Sequence, residues 1–160
     1  MDEKTLFLKF WDREAPAMRK VIERVPQDRS DYRPDPKARS ARDLAWFIVH
    51  ETISLGEGLE KGAFNWVDVP TPATIKEVLD TYDRRYEDVT SRMRRLQPAQ
   101  WERQVPFLYD GKEIMRSTGY ESAWGFLFDL IHHRGQLSTY LRPMGSRVPG
   151  IYGPSADEAM

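Results

Sequence analysis

Apolar residues recur at intervals of three and four along four long stretches of the chain, the spacing that gathers them on one side of an α-helix. In the first stretch, residues 3–25, the repeating positions are Leu6, Phe7, Phe10, Trp11, Met18, Val21, Ile22 and Val25. Pro16 interrupts it and predicts a kink or break, because proline removes a helical donor and crowds the preceding turn. The second stretch, residues 40–61, opens on Ser40 with Asp43 three residues later, a capping-box-like start, and stops at Gly62. The third begins near Pro72, a suitable first helical residue behind Thr71, carries Ile75, Val78, Leu79, Tyr82, Tyr86, Val89 and Met93, and ends before Pro98. The fourth covers 119–142 and closes before Pro143.

The connections refine this pattern. Residues 26–39 (PQDRSDYRPDPKAR) are proline-rich, charged and long enough to cross the end of a bundle. Residues 98–117 contain VPFLYDGKEIM, where Asp110-Gly111 is a hairpin-turn signal between short apolar pieces, so a small extended excursion is expected before the last helix. Four helices with two long connections predict an all-α chain: a four-helix bundle with crossover connections rather than an up-down array, forming one domain over residues 1–160.

Composition narrows the function classes. With 40% hydrophobic and 31% charged residues the chain reads as globular. A formal net charge of −1 lacks the basic excess of nucleic-acid readers, and Arg92, Arg94 and Arg95 read as a solvated helix end, so no nucleic-acid partner is expected. The absence of cysteine excludes disulfides, thiolate metal sites and cysteine nucleophiles. The N-terminal MDEKTLFLKFWDRE has no signal-peptide pattern, and no apolar run approaches the roughly 20 residues of a membrane span. A cytoplasmic protein without a membrane partner is the expectation.

Candidate chemistry rests on the three histidines. On the fourth helix Asp129 and His133, four apart, project from one face, with Ser122, Gln136 and Tyr140 on the same stripe and Phe126, Leu130, Leu137 and Leu141 beside it. A carboxylate and an imidazole in such a position either satisfy each other or share a cation. His50 shares a face of the second helix with Trp46, Phe47 and Ile53, and facing helices in a bundle lie close enough for His50, Asp129 and His133 to meet around one ion. Two imidazoles and a carboxylate suit zinc, nickel or iron, and three ligands leave positions open for water or substrate. The plainer reading makes His50 a satisfied core residue and Asp129–His133 a helix-stabilising pair. His132 lines up with Phe128 instead of Asp129; with Gln136 and Tyr140 it is a candidate for a supporting position around the site. Arg134 is expected in an ion pair. Gly135 in mid-helix points to close approach of another helix. The tail after Pro143 is too rich in proline and glycine for helix, and Ile151 and Tyr152 predict that it folds back over the open side of the site.

The stretches His132-His133-Arg134-Gly135-Gln136-Leu137, Tyr140-Leu141-Arg142-Pro143-Met144-Gly145 and Ile151-Tyr152-Gly153-Pro154-Ser155-Ala156-Asp157-Glu158 resemble the C-terminal signature of the DinB-like proteins, which are grouped with YfiT-like metal-dependent hydrolases. Tyr32-Arg33-Pro34-Asp35 and Ser40-Ala41-Arg42-Asp43-Leu44, ahead of the helix bearing His50, extend the resemblance over nearly the whole chain. It implies a four-helix bundle, commonly a homodimer, with a core divalent metal held by a histidine of the second helix, here His50, and an i,i+4 pair on the last helix, here Asp129 and His133. The first member of that pair is often histidine, so Asp129 departs from the pattern. Some relatives resemble thiol S-transferases that join a low-molecular-weight thiol, such as bacillithiol or mycothiol, to a small electrophile. The alternatives are a metal-dependent hydrolase, non-haem iron oxygen chemistry, and a metal- or small-molecule-binding protein without turnover.

Overall fold

Side-chain caps set where each long helix begins. The computed structural model describes residues 1–159. Helix α1 (Glu3–Glu23) starts behind Asp2, whose carboxylate accepts from the Thr5 N–H at 2.8 Å. Helix α2 (Ala41–Lys61) starts behind Ser40, which accepts from the Asp43 N–H, and ends at Gly62 with φ +84°, a left-handed cap that glycine takes without strain. Helix α3 (Ile75–Arg95) starts three residues later than the sequence pattern predicts. Thr74 and Glu77 close a reciprocal capping box that satisfies two backbone donors at once, while Thr71 donates its hydroxyl to Asp43 Oδ1 at 2.9 Å. A five-residue helix, α4 (Pro98–Glu102), follows without having been predicted, and α5 (Gly119–Leu141) opens on a second capping box, Thr118 with Glu121.

Pro16 does not break α1, which is helical on both sides of it. Tyr82 and Tyr86 of α3 donate their hydroxyls to the carbonyls of Ala15 and Trp11, which ties this stretch of α1 to the neighbouring helix.

The four long helices form a bundle in which α1 packs on α3 and α5, and α2 packs on the same two. Consequently α1 and α2 face each other across one diagonal, α3 and α5 across the other. Each diagonal is spanned by a long connection: residues 24–40, tied down by the bonds Ala41 N–H to Tyr32 O and Arg42 N–H to Ser30 O, and residues 96–118. The predicted crossover bundle is therefore present in outline. Tight contact between α2 and α3 uses Gly56, where a Cβ would stand 2.9 Å from the Val89 methyls.

The all-α expectation needs one correction. Strands β1 (Phe64–Trp66), β2 (Gln104–Tyr109) and β3 (Lys112–Thr118) form a small sheet in the order β1-β2-β3. The β2–β3 hairpin is the expected excursion. Its two-residue turn is Asp110 (φ +49°) and Gly111 (φ +71°), the positive pair that a type I′ hairpin demands. Strand β1 pairs parallel to β2, Phe64 opposite Phe107 and Trp66 opposite Tyr109. Three residues are too few to show an alternating pattern, and their partner lies far along the chain. Phe64 seals the sheet to α2 by lying over Gly58, where any Cβ would overlap its ring.

Candidate metal centre

The inward stripes of the bundle helices carry three charged residues. On α1 the buried set Phe7, Trp11, Met18 and Ile22 includes Glu14; on α5 the set Leu127, Leu130, Leu137 and Leu141 includes Arg134; on α2 the set Leu44, Ile48, Leu55 and Leu59 includes Glu51. Two of them neutralise each other. Arg134 Nη1 donates to Glu14 Oε2, and the Tyr152 hydroxyl binds the same carboxylate oxygen at 2.6 Å while accepting from Arg134 Nη2. The predicted ion pair of Arg134 is thus buried and three-membered. The C-terminal tail docks on the α1–α5 side through it, with Asp157 accepting from Arg142 and from the Val148 N–H, rather than closing over the acidic cluster as the sequence pattern predicts.

Glu51 has no such counterpart. Its side chain is 4% exposed and its Oε2 has no hydrogen-bond partner. Across from it on α5 stand Asp129 and His133, one turn apart, with His133 Nε2 3.3 Å from Asp129 Oδ1 and 4.0 Å from Glu51 Oε1. One donor atom from each of the three lies within 4.8 Å of the others. Burial, reinforced by the neighbouring Asp129 carboxylate, pushes the Glu51 carboxyl up to about 10.

His133 is oriented from outside this cluster. Its Nδ1 is 2.9 Å from Gln136 Oε1, and an amide oxygen can only accept, so Nδ1 carries the proton and donates. Nε2 then faces two carboxylates. Three acceptors aimed at one another repel unless a proton or a cation sits between them, and the donor set of two carboxylate oxygens and one imidazole nitrogen is an ordinary one for a divalent metal. The orphaned, buried Glu51 oxygen is what such an ion would satisfy, so the residues present fit the group.

Placement of the remaining sequence candidates is mixed. Asp129 and His133 come together, while His50, one residue before Glu51, turns to the flank of α2. Its ring meets Trp66 edge-on with centroids 4.4 Å apart, and burial lowers its pKa against the opposing pull of Asp68 and Glu57. His132 is exposed at the cleft rim. Tyr140 packs edge-on against Tyr32 at 5.8 Å. Gly135 has nothing within 4 Å of where a Cβ would stand, so no helix closes on it. Glu51 escaped the sequence reading. The available signal was a lone acid on an otherwise apolar inward stripe.

The cluster forms part of the wall of a cleft of about 1300 Å³ between α2, α5, the sheet and the 33–39 segment. Glu51 and Asp129 line it, together with Phe47, Trp66, Phe107 and Phe126. Trp66 and Phe107 of the sheet, near-parallel at 6.4 Å, and Phe126 of α5, 6.2 Å from Phe107, give the cleft an aromatic wall.

The structure is thus a helical bundle with an acid–imidazole cluster, of a composition that could hold a metal ion, at an open cleft. The chain belongs to the DinB family, whose model matches residues 1–160. It is 24% identical over 161 residues to the uncharacterized protein YrdA of Bacillus subtilis (strain 168), covering 95% of this chain and 89% of that one. Among solved structures it is similar to a DinB-like protein of Bacillus cereus ATCC 10987 (TM-score 0.75, 19% identity, 91% of this chain and 95% of that chain). It is also similar to the DinB-like protein YjoA of Bacillus subtilis (TM-score 0.70, 17% identity, 88% and 92%). At these identities the likeness is one of fold. Among the described residues no helix is long and apolar enough to cross a membrane.

Proposed function

We propose that this protein is a divalent-metal-dependent enzyme in which Glu51, Asp129 and His133 hold the ion, and that it transfers a low-molecular-weight thiol to a small electrophile. The observation that carries the reading is the buried Glu51 oxygen, left without a partner beside two further acceptors. A cation bound there supplies the charge that draws a proton from a thiol or a water at neutral pH. The chain's own part is positional. Gln136 fixes which nitrogen of His133 is presented, α2 and α5 set the spacing of the two acids, and Phe47, Trp66 and Phe107 keep the approach largely apolar. With no cysteine in the chain, the nucleophile of a thiol transfer comes from the substrate.

Hydrolysis is the second reading, favoured by the donor set itself. Two carboxylates and one imidazole suit harder ions, which serve water better than a soft thiolate. A homodimer belongs to the same proposal; its supporting feature is the partly exposed aromatic strip of Phe10, Trp124 and Phe128 along α1 and α5.

One set of measurements tests these readings: metal analysis of tag-free protein, thiol-consumption and ester-hydrolysis assays on the metal-loaded form, and gel filtration. Stoichiometric metal with thiol consumption supports the transferase, and ester turnover alone supports the hydrolase. Metal without either leaves a binding protein, and the absence of metal sinks the centre.

A further inference from the structure

The acidic cluster is countered at the rim of the same cleft by basic side chains of the 33–39 segment: Arg33, Lys37 and Arg39. Arg33 is engaged, donating to the Ala38 carbonyl at 2.8 Å and to Asp43 Oδ2 at 3.2 Å. Lys37 and Arg39 have no side-chain hydrogen bond or ion pair among the described residues, yet Arg39 is held in place. Its Cζ lies 4.0 Å over the centre of the Phe47 ring, and Phe47 in turn meets the His133 ring edge-on at 4.9 Å. A guanidinium laid on an aromatic face keeps its in-plane N–H fork free, the geometry that receives a carboxylate through two parallel hydrogen bonds. Only one ring therefore separates an unpaired cation from the imidazole of the candidate metal centre.

Charge also fixes which way round a ligand lies. An anionic group is repelled by Asp129 and drawn to Arg39, with Lys37 adding to the field, whereas an apolar body has Trp66, Phe107 and Phe126 to lie against. The volume is ample for a drug-sized molecule, since ordinary small-molecule pockets span about 300–1,000 Å³.

We infer that the cleft takes a small carboxylate-bearing molecule with an apolar body, the carboxylate gripped by Arg39 and the body laid along the aromatic wall, so that its reactive part passes the Glu51–Asp129–His133 cluster. The inference deepens the reading that this cleft is the reaction site, but capture of the anion needs no metal, and the two are tested apart.

The test uses the full-length protein stripped with a chelator. Tryptophan fluorescence, sensitive because Trp46 and Trp66 line the cleft, follows titration with phenylbutanoate, the neutral phenylbutanamide and the cationic phenylbutylamine. The acid is expected to bind about tenfold or more tighter than the amide at low salt, the preference shrinking as salt is added. Arg39→Gln is expected to bring the acid down to the level of the amide while leaving the amide's own affinity unchanged, and Arg39→Lys to keep part of the preference. Phe107→Ala is expected to weaken all three ligands, with circular dichroism checking that the fold persists. Equal binding of acid and amide, or an Arg39→Gln protein that still prefers the acid, overturns the inference. Its failure leaves metal content untouched, and an absent metal leaves this titration untouched.

Discussion

His133 donates its Nδ1 proton to Gln136 Oε1 one turn further along α5, and the bond turns the other ring nitrogen toward Asp129 and Glu51. Partners of this kind fix tautomer and ring angle, and their loss typically costs 10–100-fold in metal affinity. Gln136→Leu is accordingly expected to bind zinc about 10–100-fold more weakly in a competitive chelator titration, with unchanged thermal unfolding of the metal-free protein, since Gln136 is exposed.

Neighbouring residues on α2 are expected to behave oppositely. Glu51→Gln and His133→Gln should abolish stoichiometric metal, because each removes a donor atom of the convergent set. His50→Gln should retain it, because that ring packs on Trp66 outside the set. Metal analysis of the three purified variants decides between Glu51 and the helix-two histidine that family resemblance implies.

The metal-free protein should lose stability as pH rises. Folded, the Glu51 carboxyl titrates at about 10; unfolded, it returns to the ordinary value of 4.5. Between those values the folded chain holds a proton that the unfolded chain has released, so unfolding becomes easier with each pH step, by up to about 1.4 kcal/mol per unit. Urea unfolding at about pH 5.5 and about pH 8.5 should show a fall for the parent chain and a smaller one for Glu51→Gln, which has no proton to lose.

Breaking the buried Glu14–Arg134 pair should be costly in one direction only. Arg134→Met leaves Glu14 as an uncompensated charge and is expected to cost about 3–5 kcal/mol in urea unfolding, whereas Glu14→Leu combined with Arg134→Met should recover much of the loss. Neither change touches the metal ligands.

At the hairpin turn, Gly111→Val places a β-branched residue at φ +71°. The strain amounts to about 1–2 kcal/mol, and limited proteolysis is expected to cut first at this turn. Phe107 and Met115 both line the cleft from these strands, so binding of phenylbutanamide should weaken with it.

The features that sequence made legible are the local ones. Ser40 and Gly62 bound α2 because a hydroxyl cap and a left-handed glycine act within a turn of themselves, and Asp110-Gly111 marks its hairpin for the same reason. Thr71 misled because the competing box of Thr74 and Glu77 is decided by which side chain has another partner, and Asp43 of a different helix claims Thr71. Strand β1 was invisible because its pairing is remote. At the site, the i,i+4 pair Asp129–His133 follows from helical pitch alone. The third member depends on how α2 is rotated about its axis, and one residue's difference, about 100°, separates His50 on the flank from Glu51 on the inward stripe. Two acids and one arginine on apolar stripes are visible in the sequence, but which of them pair is a fact of tertiary packing.

The diagonal connections have a consequence for how the protein is made. Glu51 comes from the second helix of the bundle and Asp129 and His133 from the last, so no donor set exists until the final helix has docked. An ion that binds only then adds its binding free energy to the finished molecule and to no shorter or looser form of it. Metal supply would thereby act on yield and lifetime of the protein in the cell as well as on any reaction it performs.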